Sequence, residues 1–224
     1  MTNTLHRYGP RQEGDYIVFA IPARGINDAG CAGKLQAFLR LASRFNPVNM
    51  GNGKQGSLFR PERSLNPFTW FTKRRRHTVP PDRVIEEVQG PCTAAATFDS
   101  GDAVCAVLRA AREADLGMSV NVSGPIEGTY RAAREAGITP HSIEYSLEFR
   151  GRMDLLPEAP ILELITMCGH GMVSRHLARK VASLVKEGRL ASEEGATYLA
   201  KPCVCGAFNP SKARVILEEM RHRW

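Results

Sequence analysis

AAATFDSGDAVCAVLRAAREADLGMSVNVSGPIEGTYRAAREAG, residues 94–137, is the stretch on which the reading of the fold turns. Ala94–Phe98 is short and apolar, and Asp99-Ser100-Gly101-Asp102 follows it at once. It therefore reads as a strand entering a turn and a helix cap. The helix expected over 102–116 puts Val104, Val107, Leu108 and Ala111 on one face, and Gly117 closes it. Met118–Val122 (MSVNV) reads as a second strand. Ser123-Gly124-Pro125 then opens a helix over 125–136, with proline in its first turn and Gly137 at its end.

Working outward, Tyr16–Pro22 (YIVFAIP) is β-rich and apolar and reads as a buried strand. Asn27 or Asp28 is then expected to cap a helix reaching Phe45, with Leu35, Phe38, Leu39, Leu41 and Ala42 as its buried stripe. Downstream, His141–Phe149 (HSIEYSLEF) alternates apolar and polar residues, the mark of a strand with one wet face. Ile161–Thr166 (ILELIT) reads as a further strand. Helices are expected over 172–187, over 193–200 with Ser192 as cap, and over 211–220 after Asn209-Pro210. Strands alternating with helices of this length predict a single α/β (α+β) domain over 1–224, a mixed sheet layered with helices.

With 224 residues, 43% hydrophobic and 24% charged, the chain can build a packed core, which excludes global disorder. Its longest apolar runs fall far short of the ~20 residues of a membrane helix. The opening MTNTLHRYGPRQEGD has no apolar stretch of the secretory kind. A cytoplasmic protein with no membrane partner is the expectation. Six unevenly spaced cysteines are not a secreted disulfide framework. They must be core thiols, reactive groups or metal ligands.

The net charge of +7 is concentrated. Lys54, Arg60, Arg63, Lys73, Arg74, Arg75, Arg76 and Arg83 face only Glu62 and Asp82, so this window carries nearly all of the excess. It lies in a proline- and glycine-rich excursion over 46–83 with little expected regular structure, a long basic loop insertion. Phe59, Phe68, Trp70 and Phe71 interleave with the charges. Such a segment can be a solvated surface loop, a flap that draws a small anionic substrate, an interface in a homo-oligomer, or a cradle for single-stranded nucleic acid. No recognised nucleic-acid module accompanies it.

The chemistry is expected in Thr166–Ser174 (TMCGHGMVS) and Lys201–Pro210 (KPCVCGAFNP). In the first, a strand is read as running through Cys168-Gly169-His170-Gly171 straight into a helix. A thiol at a helix start has its thiolate favoured, and His170 beside it makes Cys168 a candidate nucleophile, acid/base or metal ligand. Gly169 and Gly171 let backbone amides approach a bound group. In the second, Cys203 and Cys205 sit in a proline-bounded loop, a spacing unlike that of core cysteines such as Cys105. Cys168, Cys203 and Cys205 with His170 form a soft ligand set that suits zinc or a 4Fe-4S cluster. Cys31 and Cys92 are alternative ligands in loop-like contexts. Arg24, Asn27 and Ser123 are candidates for the substrate-binding rim.

Met167-Cys168-Gly169-His170-Gly171 resembles the first cysteine loop of the proline racemase and hydroxyproline epimerase family. The resemblance implies that Cys168 is one of two thiols that exchange a proton at a substrate's α-carbon, with the amides near Gly169 and His170 holding the carboxylate. Three readings stand at this point. One is a metal- or iron–sulfur-dependent enzyme of lyase, hydratase or desulfurase type, with Cys168 and His170 catalytic. Another is a metal-free cysteine racemase or lyase. The third is a zinc-stabilised module that binds RNA or protein.

Overall fold

The computed structural model describes residues 14–60, 78–145 and 150–223. Strand β1 is Tyr16–Ile21, followed by α1 (Ala32–Ser43), β2 (Asn49–Asn52), β3 (Gly56–Ser57) and α2 (Pro81–Glu86). Next come β4 (Ala94–Phe98), α3 (Gly101–Ala114), β5 (Ser119–Ser123) and α4 (Ile126–Glu135). After a 3-10 turn at Met153–Leu155, the chain ends in α5 (Ala159–Thr166), α6 (Arg175–Lys186), α7 (Ser192–Ala200) and α8 (Pro210–Arg223).

The sheet has five strands in the order β3-β2-β4-β1-β5. Each pairing is antiparallel: Tyr16 faces Phe98, Ile17 faces Ser123, and Asn49 faces Thr97. β1 and β2 therefore run the same way with β4 between them, and β4 and β5 run the same way with β1 between them. These are two interlocked split β-α-β units, with α1 and α3 as the crossovers. The α/β layering matches the sequence reading, and the expected mixed pairing resolves into antiparallel pairs throughout the described strands.

Alternation along the strands separates two cores. Tyr16, Val18, Ala20, Met50, Ala94, Ala96 and Phe98 pack with Leu35, Phe38 and Leu39 of α1 and Val104, Val107 and Leu108 of α3. On the other face, Ile17 and Ala95 meet Ile161 and Leu164 of α5, Val181 of α6, Leu199 of α7 and Ile216 and Leu217 of α8. The second layer is tied to the start of β1 by a buried polar knot. Lys212 Nζ lies 3.3 Å from Asp15 Oδ2, while Asn209 Nδ2 donates to Asp15 Oδ1 at 3.0 Å and to the Gly14 carbonyl at 3.1 Å.

Several elements differ from the sequence reading. Residues 161–166, expected as a strand, lie in helix α5. Pro160 sits in its first turn, and a short run buried on nearly every side has no period to separate helix from strand. The helix expected from 172 begins at Arg175, with the Ser174 hydroxyl accepting from the Leu177 amide. Helix α1 starts after Cys31, because Asn27 and Asp28 close the preceding turn instead, accepting from the Ala23 and Gly25 amides at 2.6 and 2.8 Å. The excursion over 46–83 contains β2, β3 and the start of α2, and its residues 61–77 lie outside the described ones. Residues 141–145 are not a strand, and 146–149 of that expected element lie outside the described residues. No described helix is long and apolar enough to cross a membrane.

Candidate thiol centre

Cys168 follows Met167, the C-cap of α5, and so stands at the end of one helix and seven positions before the next begins. This corrects the helix-start argument: the helix that follows Cys168 begins only at Arg175. Individual amides act in its place. The turn Cys168-Gly169-His170-Gly171 folds back on itself, with the Gly171 amide donating to the Cys168 carbonyl at 3.0 Å and Gly171 at φ +68°. In that conformation the His170 and Met172 amides favour the Cys168 thiolate.

Cys203 and Cys205 come from the loop between α7 and α8. Gly206, at φ +79°, lies so close to β2 that a Cβ there would stand 2.6 Å from the Gly51 nitrogen. A Cβ on Gly51 would in turn stand 3.0 Å from the Cys205 carbonyl carbon. This glycine pair lets the loop lie directly on the strand backbone. Two buried side chains of the sheet hold it there: Thr97 Oγ1 donates to the Gly206 carbonyl at 2.8 Å, and Asn49 Nδ2 donates to the Phe208 carbonyl at 2.9 Å. Asn49 and Thr97 carry no signal in the sequence reading, and Gly51 enters it only as one of the clustered glycines of the excursion. The one available signal was Gly51, a glycine interrupting what proves to be a strand.

The two segments bring their thiols together. Cys203 Sγ lies 3.9 Å from Cys205 Sγ, and Cys205 Sγ lies 3.7 Å from His170 Nδ1. The Cys203 thiol also lies near enough to Cys168 for each to shift the other's titration. The Phe208 amide donates to Cys203 Sγ at 3.3 Å, and the Ala207 amide donates to Cys205. Backbone amides thus lie where they favour the thiolate at each sulfur of the cluster. Exposure grades outward, from fully buried Cys203 and Cys168 through half-buried Cys205 to exposed His170.

These contacts set the protonation pattern. Hydrogen bonding from the Cys203 thiol pulls Cys168 down to about 6, against the opposing effect of burial and with help from the Met172 and His170 amides. Cys205 falls to about 6 for the same leading reason, helped by the Ala207 amide and by His170. Cys203 is driven far upward, because its proton bonds to both neighbours and its sulfur is buried. A single S–H donates to one sulfur at a time, so Cys168 and Cys205 share that proton.

Among the described residues, no group of three or more His, Cys, Asp and Glu side chains stands ready to hold a metal ion. The contacts run in file from Cys168 through Cys203 and Cys205 to His170. Cys105 stays in the opposite core, and Cys31 is buried there beside Leu35 and Phe38, apart from this cluster. Half-buried Cys92 also packs against that opposite core.

The proposed rim residues do not join the thiols. Asn27 donates to the Gly117 carbonyl at 2.8 Å and Arg24 is exposed on the same turn, beyond the end of β1. Ser123 is on β5, with β1 and β4 lying between it and β2. Of the basic excursion, Arg60 and Arg83 are both committed to Glu87, whose carboxyl they hold below its ordinary range, Arg60 more strongly. A cleft of about 440 Å³ is lined by Tyr130, Arg134, Ile138 and Pro140. Another of about 210 Å³ is lined by Ile161, Arg179, Ala182 and Met220. Neither includes a thiol. Compared with known protein families, with curated proteins and with solved structures, the chain matches none.

Proposed function

We propose that this is a single-metal thiolate protein. Cys168, Cys203, Cys205 and His170 close around one soft divalent ion, zinc by geometry, and the ion fastens the C-terminal helical layer to β2. The spacing of the donors carries the reading. Tetrahedral zinc, with bonds of about 2.3 Å to sulfur and 2.0–2.1 Å to nitrogen, holds its ligands about 3.5–3.8 Å apart. The Cys203–Cys205 and Cys205–His170 separations of 3.9 and 3.7 Å are close to two edges of such a tetrahedron, and the ion would draw Cys168 in to close the others. A four-iron cubane places a separate iron under each cysteine and so keeps the sulfurs well out of contact. Proton exchange between two thiols needs room for a tetrahedral carbon between them, which the 3.9 Å between Cys203 and Cys205 does not leave.

The amides support the same reading. N–H donors on all three sulfurs stabilise thiolates, and buried thiolates this close together repel unless a cation lies among them. In the metal-free chain the Cys203 proton stands in for that cation. Three thiolates more than neutralise a divalent ion and leave it a weak Lewis acid, which suits cohesion better than attack on an anion.

A second reading gives the same ion a chemical task, because His170 is exposed and Cys205 half-buried at the mouth. If His170 yields its place to the oxygen of a small anionic substrate, an enzyme of lyase or hydratase type results, with His170 as the proton donor.

Purification without oxygen followed by metal and sulfide analysis tests the proposal. One zinc per chain with no acid-labile sulfide is expected, and brown protein with sulfide, or protein without stoichiometric metal, overturns it. Cobalt substitution separates the two readings. A small carboxylate should leave the cobalt–thiolate spectrum unchanged if His170 closes the site, and should shift it if the fourth position exchanges.

A further inference from the structure

Resting on that metal-thiolate reading, we propose that the Cys203–Cys205 pair is a hydroperoxide-sensitive latch, in which Cys205 is the attacking sulfur, Cys203 the resolving one, and disulfide formation ejects the metal. Of the three clustered sulfurs only Cys205 is half-buried, so it meets a small oxidant from solvent first. Cys203 is fully buried and cannot meet the oxidant directly, but its sulfur is 3.9 Å away. The neighbouring His170 ring is exposed, with Nδ1 at 3.7 Å from the attacking sulfur, so solvent and a small oxidant reach this side of the cluster.

The chemistry balances. The Cys205 thiolate attacks the distal peroxide oxygen, the O–O bond breaks, and the products are a sulfenic acid and an alkoxide, or hydroxide from hydrogen peroxide. The leaving oxygen takes a proton from solvent. The Cys203 sulfur, as thiolate, then attacks the Cys205 sulfur, the S–O bond breaks, and hydroxide leaves to be protonated from solvent. Two electrons pass from the two sulfurs to the peroxide, and the sum is one disulfide, one alcohol and one water. The sulfurs must close from 3.9 Å to about 2.05 Å, a movement within one short loop.

The consequence follows from what the loop holds. Oxidation removes two of the three thiolates, leaving Cys168 and His170, too few for a soft ion. The same loop lies on β2 through Gly206 and Gly51, so the change is delivered to the joint between the helical layer and the sheet.

The test uses the full chain as isolated. Its metal is measured, it is treated with graded hydrogen peroxide, and metal release is followed with a chromophoric chelator. Remaining thiols are then alkylated in denaturant and the peptide containing both Cys203 and Cys205 is weighed. One metal released per chain, in step with loss of both alkylation sites on that peptide and restored by dithiothreitol, is the expected result. Protein with no metal at the outset refutes the metal reading and the ejection with it, while disulfide formation between Cys203 and Cys205 is still read from the peptide. Loaded protein that keeps its metal, or loses it while the peptide still takes two alkyl groups or pairs with Cys168, overturns the latch.

Discussion

The two faces of one sheet are built by different means. Under α1 and α3 the contacts are aliphatic and aromatic, with Phe38, Leu39 and Phe98 fully buried, and little but shape and area is needed to hold them. Under α5 to α8 the aliphatic core is joined by specific polar contacts: a glycine pair in backbone contact, Thr97 and Asn49 gripping carbonyls, the Asp15–Lys212 ion pair, and the thiol cluster. Apolar burial is non-directional, whereas hydrogen bonds and metal ligands act only at fixed distances. The first face should therefore tolerate rearrangement in small steps, and the second should stay docked or release as a unit.

On the proposed metal reading, stripping the ion is the strongest way to break the comparison. At free zinc 1,000 times its dissociation constant the bound ion stabilises by about 4 kcal/mol. Its removal should lower the midpoint of chemical unfolding accordingly, and hydrogen exchange should rise in α5 to α8 before it rises in α1 and α3. Uniform exchange over both layers would erase the distinction. Phe38→Ala, on the aliphatic face, should cost about 3–5 kcal/mol. Zinc content of the folded variant should be unchanged, as read by metal analysis alongside urea titration.

Breaking the buried ion pair sharpens the contrast. Lys212→Met leaves Asp15 charged and buried, a loss of about 3–5 kcal/mol, while the double replacement Asp15→Leu with Lys212→Met should recover much of it. A double-mutant cycle in denaturant reads the difference. Gly206→Ala combines a left-handed backbone with a Cβ driven onto β2, and should cost about 1–3 kcal/mol or more while weakening metal retention.

In the metal-free protein, Cys168 and Cys205 hold folded values of about 6, below the ordinary thiol near 8.5. They contribute stability above the unfolded value, and that contribution is lost as pH falls through about 6. Cys203 is shifted upward and acts oppositely, losing its contribution as pH rises above the unfolded value. Unfolding midpoints of stripped protein should thus rise from pH 6 to about 8.5 and then decline, and Cys168→Ser with Cys205→Ser should flatten the rise. The smallest effect is at the cap of α3. Ser100 Oγ accepts from the Asp102 and Ala103 amides at 3.2 and 3.5 Å, and Ser100→Ala should cost about 1 kcal/mol by thermal unfolding with no change in metal content.

The split units were legible where local signals agreed. Ala94–Phe98 is the strand expected, and α3, β5 and α4 fall within two residues of their expected positions, because caps, glycines and periodicity all act within a few residues. Residues 161–166 were misread for want of a period, and β2 was hidden because Asn49-Met50-Gly51-Asn52 has a strand's partners without a strand's composition. The thiol segments were visible as Cys-Gly-His-Gly and Cys-Val-Cys-Gly. Their meeting was an inference that spacing alone could not secure, since the two loops are brought together by α6, α7 and the surface of β2.

By itself, then, the sequence determined the alternating helices and strands, the concentration of positive charge, and which side chains could bind a soft ion, since composition and short-range pattern carry all three. Tertiary structure alone decided that Cys168, Cys203, Cys205 and His170 are neighbours while Arg24, Asn27 and Ser123 are not. It also decided that individual amides, not a helix end, polarise Cys168. Contacts between residues far apart in the chain depend on which backbones can approach each other, and here that approach rests on two glycines having no side chain.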